Sequence, residues 1–318
     1  MADKVKVLML CGPTASGKTA LAVMLAKALD GEVISADSMQ IYSGLTVGTA
    51  APQPEEMQGI AHHLIGVIPP QQSFSVADWT AAAAEKIADI HRRGKIPIIA
   101  GGTGLYLSSL MNGVRFQEEK TDPALREKLR EELGREGAEA MHARLMAVDA
   151  PYAQTLHPNN TGRVLRALEV YLQTGQTMTE RLADSLMPEK PYDVCLYGLN
   201  YDSRTELYEK IERRVDIMME KGILDEARLV YKNRECWHTA AQAIGYKEFF
   251  PFFEGTVPLE LCVDELKKAT RHYAKRQLTW FRRMEGIVWE RAADPQAAQR
   301  IAQAFLQKTL PKADETLI

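Results

Sequence analysis

The string Gly12-Pro13-Thr14-Ala15-Ser16-Gly17-Lys18-Thr19 fits the pattern G-x-x-x-x-G-K-[ST], and it lies between an apolar run and a helical pattern. Its chemistry is polyphosphate binding. The glycines let backbone N–H groups turn inward, the helix N-terminus adds its positive end, Lys18 brings a cation, and the Thr19 hydroxyl is a ligand for Mg²⁺. Such a loop is the signature of nucleotide-binding proteins, ATP-binding ones among them. A kinase or ATPase also needs an apolar strand ending in an acid that holds the metal. The run that should supply it, Ile96–Ala100, ends instead in Gly101-Gly102-Thr103-Gly104. That turn either offers backbone donors and one hydroxyl to a ligand or is a tight strand-to-helix connection. A carboxylate follows a different apolar run, in Asp37-Ser38-Met39-Gln40, where Asp37 is either a general base or a turn aspartate.

These groups need a frame. Short apolar runs ending in Gly or Asp alternate with helical periodicity, the pattern of a parallel sheet with crossover helices. Strands are expected at Lys6–Cys11, Glu32–Ala36, His63–Val67, Ile96–Ala100, Asp193–Leu199 and Ile287–Glu290, with helices at Lys18–Leu29 and Val76–Arg93. The fold class is α/β, a P-loop-type parallel sheet flanked by helices. From Arg115 to Lys190 helical patterns run on without strands, starting with Asp122 as N-cap and Pro123 at the first helical position. Strand character resumes at Asp193, so 115–190 reads as a helical insertion into a core made of 1–114 and 191–318. Helices are expected again at Thr205–Lys221 and Pro258–Met284, and a frayed tail at Pro311–Ile318.

A length of 318 residues suits about two domains. With 39 Lys and Arg against 42 Asp and Glu, the net charge of −3 excludes wholesale coating of a nucleic acid, so any polyanion must meet a local patch. The four cysteines, Cys11, Cys195, Cys236 and Cys262, form no CxxC pair, which points to a reducing cytoplasm and away from a disulfide framework or zinc knuckle. The apolar run Val7–Leu10 is too short for a signal peptide core or a membrane span. One local patch exists. Lys267, Lys268, Arg271, Lys275, Arg276, Arg282 and Arg283 lie in 267–283 with no acid among them, interleaved with Tyr273, Trp280 and Phe281. This is either a solvated helix face or a surface where cations hold phosphates and rings stack bases.

Taken together, the phosphate loop without its metal-holding acid, Asp37-Ser38-Met39-Gln40 and Gly101–Tyr106 resemble the bacterial tRNA dimethylallyltransferase family. Further strings agree in order: Gly48-Thr49-Ala50, His62-His63-Leu64-Ile65, Arg166–Val170, Arg214-Val215-Asp216, Ala243–Glu248 and Tyr273–Arg282. The resemblance spans about residues 5–285. Two departures stand out: Gly66 and Pro69-Pro70 occupy places where relatives often carry Asp and Asp-Pro. Nothing after Glu285 is Cys or His, so the zinc-binding tail of eukaryotic relatives is absent from this sequence.

The resemblance implies transfer of the five-carbon group of dimethylallyl diphosphate to the exocyclic amine of the adenosine 3′ of the anticodon, with Mg²⁺ and release of diphosphate. It implies that Gly12–Thr19 cradle the diphosphate, that Thr19 holds the metal, and that Arg214 adds a cation. Asp37 would be the base and Thr103 a donor to the bridging oxygen of the leaving group. Asp37, Ser38, Met39, Gln40 and Thr103 would meet the flipped adenosine and its neighbours. Arg126 and the stretch Gly162, Arg163, Val164, Leu165, Arg166 of the insertion would lie on the anticodon stem-loop, and Lys275, Arg276 and Arg282 would hold its phosphates. A monomer with no membrane contact is expected. The alternatives are a prenyltransferase for free adenine nucleotides, a P-loop kinase or ATPase, and an RNA-binding module with a relic loop.

Overall fold

The computed structural model describes residues 4–116, 122–185, 187 and 189–309, so the tail expected at 311–318 lies outside the described residues. Six parallel strands form one sheet in the order β3-β2-β4-β1-β5-β6. They are β1 (Lys6–Cys11), β2 (Gly31–Ser35), β3 (His62–His63), β4 (Ile96–Ala100), β5 (Asp193–Asn200) and β6 (Val288–Arg291). Leu8, Met9 and Leu10 of β1 pair with Ile98, Ile99 and Ala100 of β4 on one side and with Cys195, Leu196 and Tyr197 of β5 on the other. The central strand reads as a continuous apolar run because both its faces are covered.

One expected strand is much shorter than its apolar run. His63–Val67 extends only over His62–His63, because Leu64 (φ 62°) and Gly66 (φ 61°) take left-handed backbone that ends the ladder. The chain turns instead to bond Gly66 N–H to the Gln40 carbonyl and Val67 N–H to the Ile41 carbonyl. The other strands match their runs to within a residue or two, as does the helix Lys18–Leu29.

Each face of the sheet has its own core. Leu21, Leu25 and Leu29, four residues apart on Lys18–Leu29, pack with Ile301 and Phe305 of the helix Ala297–Thr309 over Leu8, Leu10 and Ile98. On the other face Trp79, Ile87 and Ile90 of the helix Val76–Arg92 pack with Met9, Ile34 and Ile99. Trp79 is fully buried, stacks on Tyr106 at 4.6 Å, and donates its indole N–H to the Ser35 carbonyl at 2.9 Å. That bond fixes the end of β2 two residues before Asp37.

The chain divides into two compact units, 1–111 with 190–318, and 112–189. Among its described residues the second unit is helical: Pro123–Val148, Ala150–Gln154, Thr161–Thr174 and Met178–Ser185 surround Leu129, Met141, Leu145, Val164 and Leu168. Asp122 accepts from the N–H groups of Ala124 and Leu125 and Pro123 opens the helix, which is the expected cap. Asp149, buried at a helix junction, accepts from Thr179 N–H at 3.0 Å and from its hydroxyl. Among the described residues no helix is long and apolar enough to cross a membrane.

Candidate active site

The carboxyl ends of β1, β2 and β4 open into a cleft of about 1010 Å³ within the first unit, where open α/β sheets take their ligands. Thr14–Thr19 follow β1, Asp37–Gln40 follow β2, and Gly101 and Gly102 follow β4; all of these line it, with Arg214, Tyr273, Arg276 and Gln277 from two later helices. The sequence reading placed most of these together. Asp37, Ser38, Met39, Gln40, Lys18, Thr19, Arg214 and Arg276 face one space.

The phosphate loop is closed on itself. Ser16 hydroxyl donates to the Pro13 carbonyl at 2.8 Å and Lys18 Nζ donates to the same carbonyl at 2.6 Å. Tyr201 hydroxyl ties the Ala15 carbonyl at 2.9 Å. Desolvation in the cleft, with a further push from Arg214, pulls the Lys18 ammonium down to about 8, against the pull of Asp37. Burial likewise lowers Arg214, which Asp37 and Glu56 partly offset. Arg214 is therefore a cleft cation. Its neighbour Asp216 pairs with Lys267 at 2.6 Å. Burial drives the Cys11 thiol, at the root of the loop, up to about 12, so it is no nucleophile.

Asp37 Oδ1 accepts from the N–H groups of Met39 at 2.9 Å and Gln40 at 3.3 Å, so it is a turn aspartate; its carboxylate also lines the cleft. Of the two sequence alternatives, these bonds show the turn aspartate. Thr103 Oγ1 accepts the Ser38 N–H at 3.0 Å, and Thr103 N–H donates to the Ala36 carbonyl at 3.0 Å. With that lone pair used, the hydroxyl proton is left for another acceptor.

The turn Gly101-Gly102-Thr103-Gly104 is glycine-rich for packing. A Cβ on Gly101 would lie 2.1 Å from the Ala36 carbonyl oxygen, on Gly102 2.2 Å from Gln277 Nε2, and on Gly104 2.3 Å from the Trp280 ring. Gln40, expected at the base, is occupied internally: its Oε1 accepts from Ser35 hydroxyl at 2.8 Å and its Nε2 donates to the Thr49 and Ala50 carbonyls.

The basic helix is less free than its sequence suggests. It spans Leu259–Phe281, and Lys267, Lys268 and Arg271 pair with Asp216, Glu265 and Glu212. Acids from a neighbouring helix and from one turn back neutralise them, which the bare run could not reveal. Lys275, Arg276, Arg282 and Arg283 are exposed and form no salt bridge among the described residues. Of the interleaved rings, Phe281 is fully buried and cannot stack on a base, while Tyr273 lines the cleft.

In the second unit, Arg126 and Arg166 both clasp Glu169, 2% exposed, at 3.0 and 2.9 Å. Val164 is core and Leu165 half-buried against it, so of the predicted stretch Gly162 and Arg163 are the exposed residues.

Two groups escaped the sequence reading. Glu226 accepts the N–H groups of Thr46, Val47 and Gly48 at 2.8, 3.0 and 2.8 Å and the Tyr246 hydroxyl at 2.7 Å, pinning a loop of the cleft wall. Nothing in its local sequence marks it. Gln277 lies within the string Tyr273–Arg282, but its partners lie far along the chain, so spacing does not single it out.

A phosphate loop at the carboxyl end of the central strand of a parallel sheet defines the class: a P-loop NTPase-like α/β protein. The family model for IPP transferases matches residues 40–284, and the chain belongs to that family. A curated relative from Bacillus subtilis (strain 168), a tRNA dimethylallyltransferase, is 48% identical over 288 residues, 90% of each chain. The crystal structure of the full-length tRNA isopentenylpyrophosphate transferase of Bacillus halodurans is similar with a TM-score of 0.70, at 41% identity and 96% of both chains. A eukaryotic dimethylallyltransferase acting on tRNA is similar with a TM-score of 0.80, at 31% identity, covering 98% of this chain and 81% of the other.

Proposed function

We propose that the chain is a tRNA dimethylallyltransferase that joins the dimethylallyl group to N6 of the adenosine 3′ of the anticodon. The observation that carries this reading is one cleft lined by the phosphate loop, the Asp37 carboxylate and Ser38, whose N–H bonds the Thr103 hydroxyl just behind the lining. The family and its named relatives agree with it.

The amine nitrogen attacks the first carbon of dimethylallyl diphosphate, the carbon–oxygen bond breaks, and diphosphate leaves. The amine lone pair is delocalised into the purine, so attack must shed a proton, which Asp37 takes as general base. Charge grows on the bridging oxygen as the bond breaks; we assign the remaining proton of Thr103 to it, and Lys18, Arg214 and the backbone N–H groups of Ala15–Thr19, which line the cleft, to the diphosphate.

The residues fit Mg²⁺. Thr19 lines the cleft beside Lys18, and a magnesium ion taken mainly by substrate phosphates needs few protein ligands, which suits a chain with no cluster of metal-ligating side chains among its described residues. When bound, it supplies neutralisation of leaving-group charge.

The base must leave its stack to reach the cleft. Ser38, Met39 and Gln40 are the residues we assign beside it, the last through its backbone. The exposed cations Lys275, Arg276 and Arg282, with Arg126, Gly162, Arg163 and Arg166 and the backbone of Val164 and Leu165, are assigned to the anticodon stem-loop. Free thiols at all four cysteines support a cytoplasmic setting. We further assign a monomer, to be checked by a solution mass of 35.6 kDa.

The test is incubation with Mg²⁺, dimethylallyl diphosphate and unmodified tRNA, beside AMP and ATP, followed by nucleoside mass analysis. The expected result is a dimethylallyl gain on that one adenosine, lost in Asp37→Ala. Gain on AMP alone would assign a free-nucleotide prenyltransferase, and ATP consumption without any gain would make the loop a nucleotide hydrolase site.

A further inference from the structure

Gln277 sits on the helix Leu259–Phe281 and is 6% exposed. Its Oε1 accepts the N–H of Thr14, in the phosphate loop, at 2.8 Å, and its Nε2 donates to the carbonyl of Gly102 at 2.9 Å. Those partners are 263 and 175 residues away in sequence, and they belong to the loops after β1 and β4. One carboxamide therefore spans the two turns that carry the phosphate cradle and Thr103.

The arrangement admits one side chain. An N–H on one side and a carbonyl on the other require an acceptor and a donor at the same distance from the backbone, which a neutral Gln supplies and an ionised Glu, a Met or a Lys does not. Its orientation is fixed, since a reversed amide would set donor against donor and oxygen against oxygen. Gly102 is matched to it, because a Cβ there would lie 2.2 Å from Nε2. The same helix brings Tyr273, one turn back, and the adjacent Arg276 to the cleft.

We propose that Gln277 is a positioning residue for the transfer: its two hydrogen bonds hold the diphosphate loop and the Thr103 turn at one fixed separation. The inference rests on the function proposed above. Gln277 has both its polar atoms occupied by the protein, so it acts through the loops and not on the substrate. A separation set by a buried bridge is cheap at the moment of reaction, since no group has to reorganise as charge develops. Losing it leaves a half-buried N–H and a buried carbonyl without partners and lets the two turns drift.

The experiment compares wild type, Gln277→Met and Gln277→Glu by three measurements: dimethylallyl transfer against pH, the affinity for inorganic diphosphate with Mg²⁺ by calorimetry, and thermal unfolding. Gln277→Met should lower kcat by about 100-fold, roughly tenfold for each lost bond, with the KM for tRNA within about twofold of wild type. In Gln277→Glu the protonated carboxyl can still donate to Gly102, while the carboxylate opposes that carbonyl oxygen. Its kcat relative to wild type should therefore climb as pH falls from about 8 to about 6, a limb that a merely structural role would not produce. A Met variant with wild-type kcat, or a Glu variant whose profile runs parallel to wild type, overturns the proposal. Should the Met variant not fold, the Glu profile decides alone. Should wild type transfer nothing, the proposed function falls, and diphosphate affinity then decides the bridge: a loss of about tenfold in the Met variant sustains it and an unchanged affinity overturns it.

Discussion

Two glycine turns lie at the carboxyl ends of adjacent strands, and Gly17 in one and Gly101, Gly102 and Gly104 in the other are glycine for opposite reasons. In the loop after β1, Gly17 has φ +83° and nothing within 4 Å of where its Cβ would be, so glycine is there for backbone direction. In the turn after β4, Gly101, Gly102 and Gly104 have no left-handed φ, yet an added Cβ would strike the Ala36 backbone, Gln277 and Trp280. At Gly17 the first turn faces open space; the second lets neighbours press in until Thr103 is fixed beside Ser38. A glycine-rich string after a strand is thus two different signals, and only the surroundings say which.

Substitutions can break this contrast. The largest effect is expected from Gly101→Ala, whose Cβ meets backbone at 2.1 Å and cannot be relieved by a side-chain rotation; stability should fall by more than about 4 kcal/mol, read as a urea midpoint. A mild effect there would mean the turn is looser than its contacts. Thr103→Val should lower stability by about 1–3 kcal/mol, because Ser38 N–H loses its acceptor, and, measured where the variant is fully folded, cost about 10²–10³ in transfer rate; equal rates would strip Thr103 of its role. Gly17→Ala should cost about 1–2 kcal/mol of stability through its left-handed backbone alone, without any steric contribution, and a calorimetric loss above that range would contradict the open space around it.

The smallest expected effect is on pH. The Lys18 ammonium, drawn down to about 8 mainly by desolvation, is charged below that pH and neutral above it. Diphosphate binding favours the charged form, so affinity should fall several-fold as pH rises from about 7 to about 9, and Lys18→Met should flatten that slope in a calorimetric titration. A slope that survives the substitution would assign the titration to another group.

Much of this cleft could be read along the chain. The loop Gly12–Thr19, Asp37 and the second glycine turn are each local strings placed after apolar runs, and a parallel α/β sheet necessarily gathers the carboxyl ends of its central strands on one edge. Only the tertiary structure puts Arg214 in the cleft lining, and the basic run lost Lys267 and Arg271 to acids of another helix, while Lys268 pairs with Glu265 one turn back. The run His63–Val67 has strand composition, but the backbone turns left-handed at Leu64 and Gly66 and the ladder stops.

By itself, then, the sequence determined the alternation of strands and helices, the helical stretch between the fourth and fifth strands, and the place of the phosphate-loop string between β1 and the helix Lys18–Leu29. Each depends on periodicity or on neighbours within a few residues. Tertiary structure alone decided that Gln277 ties Thr14 to Gly102, that Glu226 pins the loop Thr46–Gly48, and that the glycines after β4 are there for close packing. Those facts depend on atoms brought within hydrogen-bond or contact distance from more than a hundred residues away, or from another strand end, and a one-dimensional pattern carries no distance between such groups.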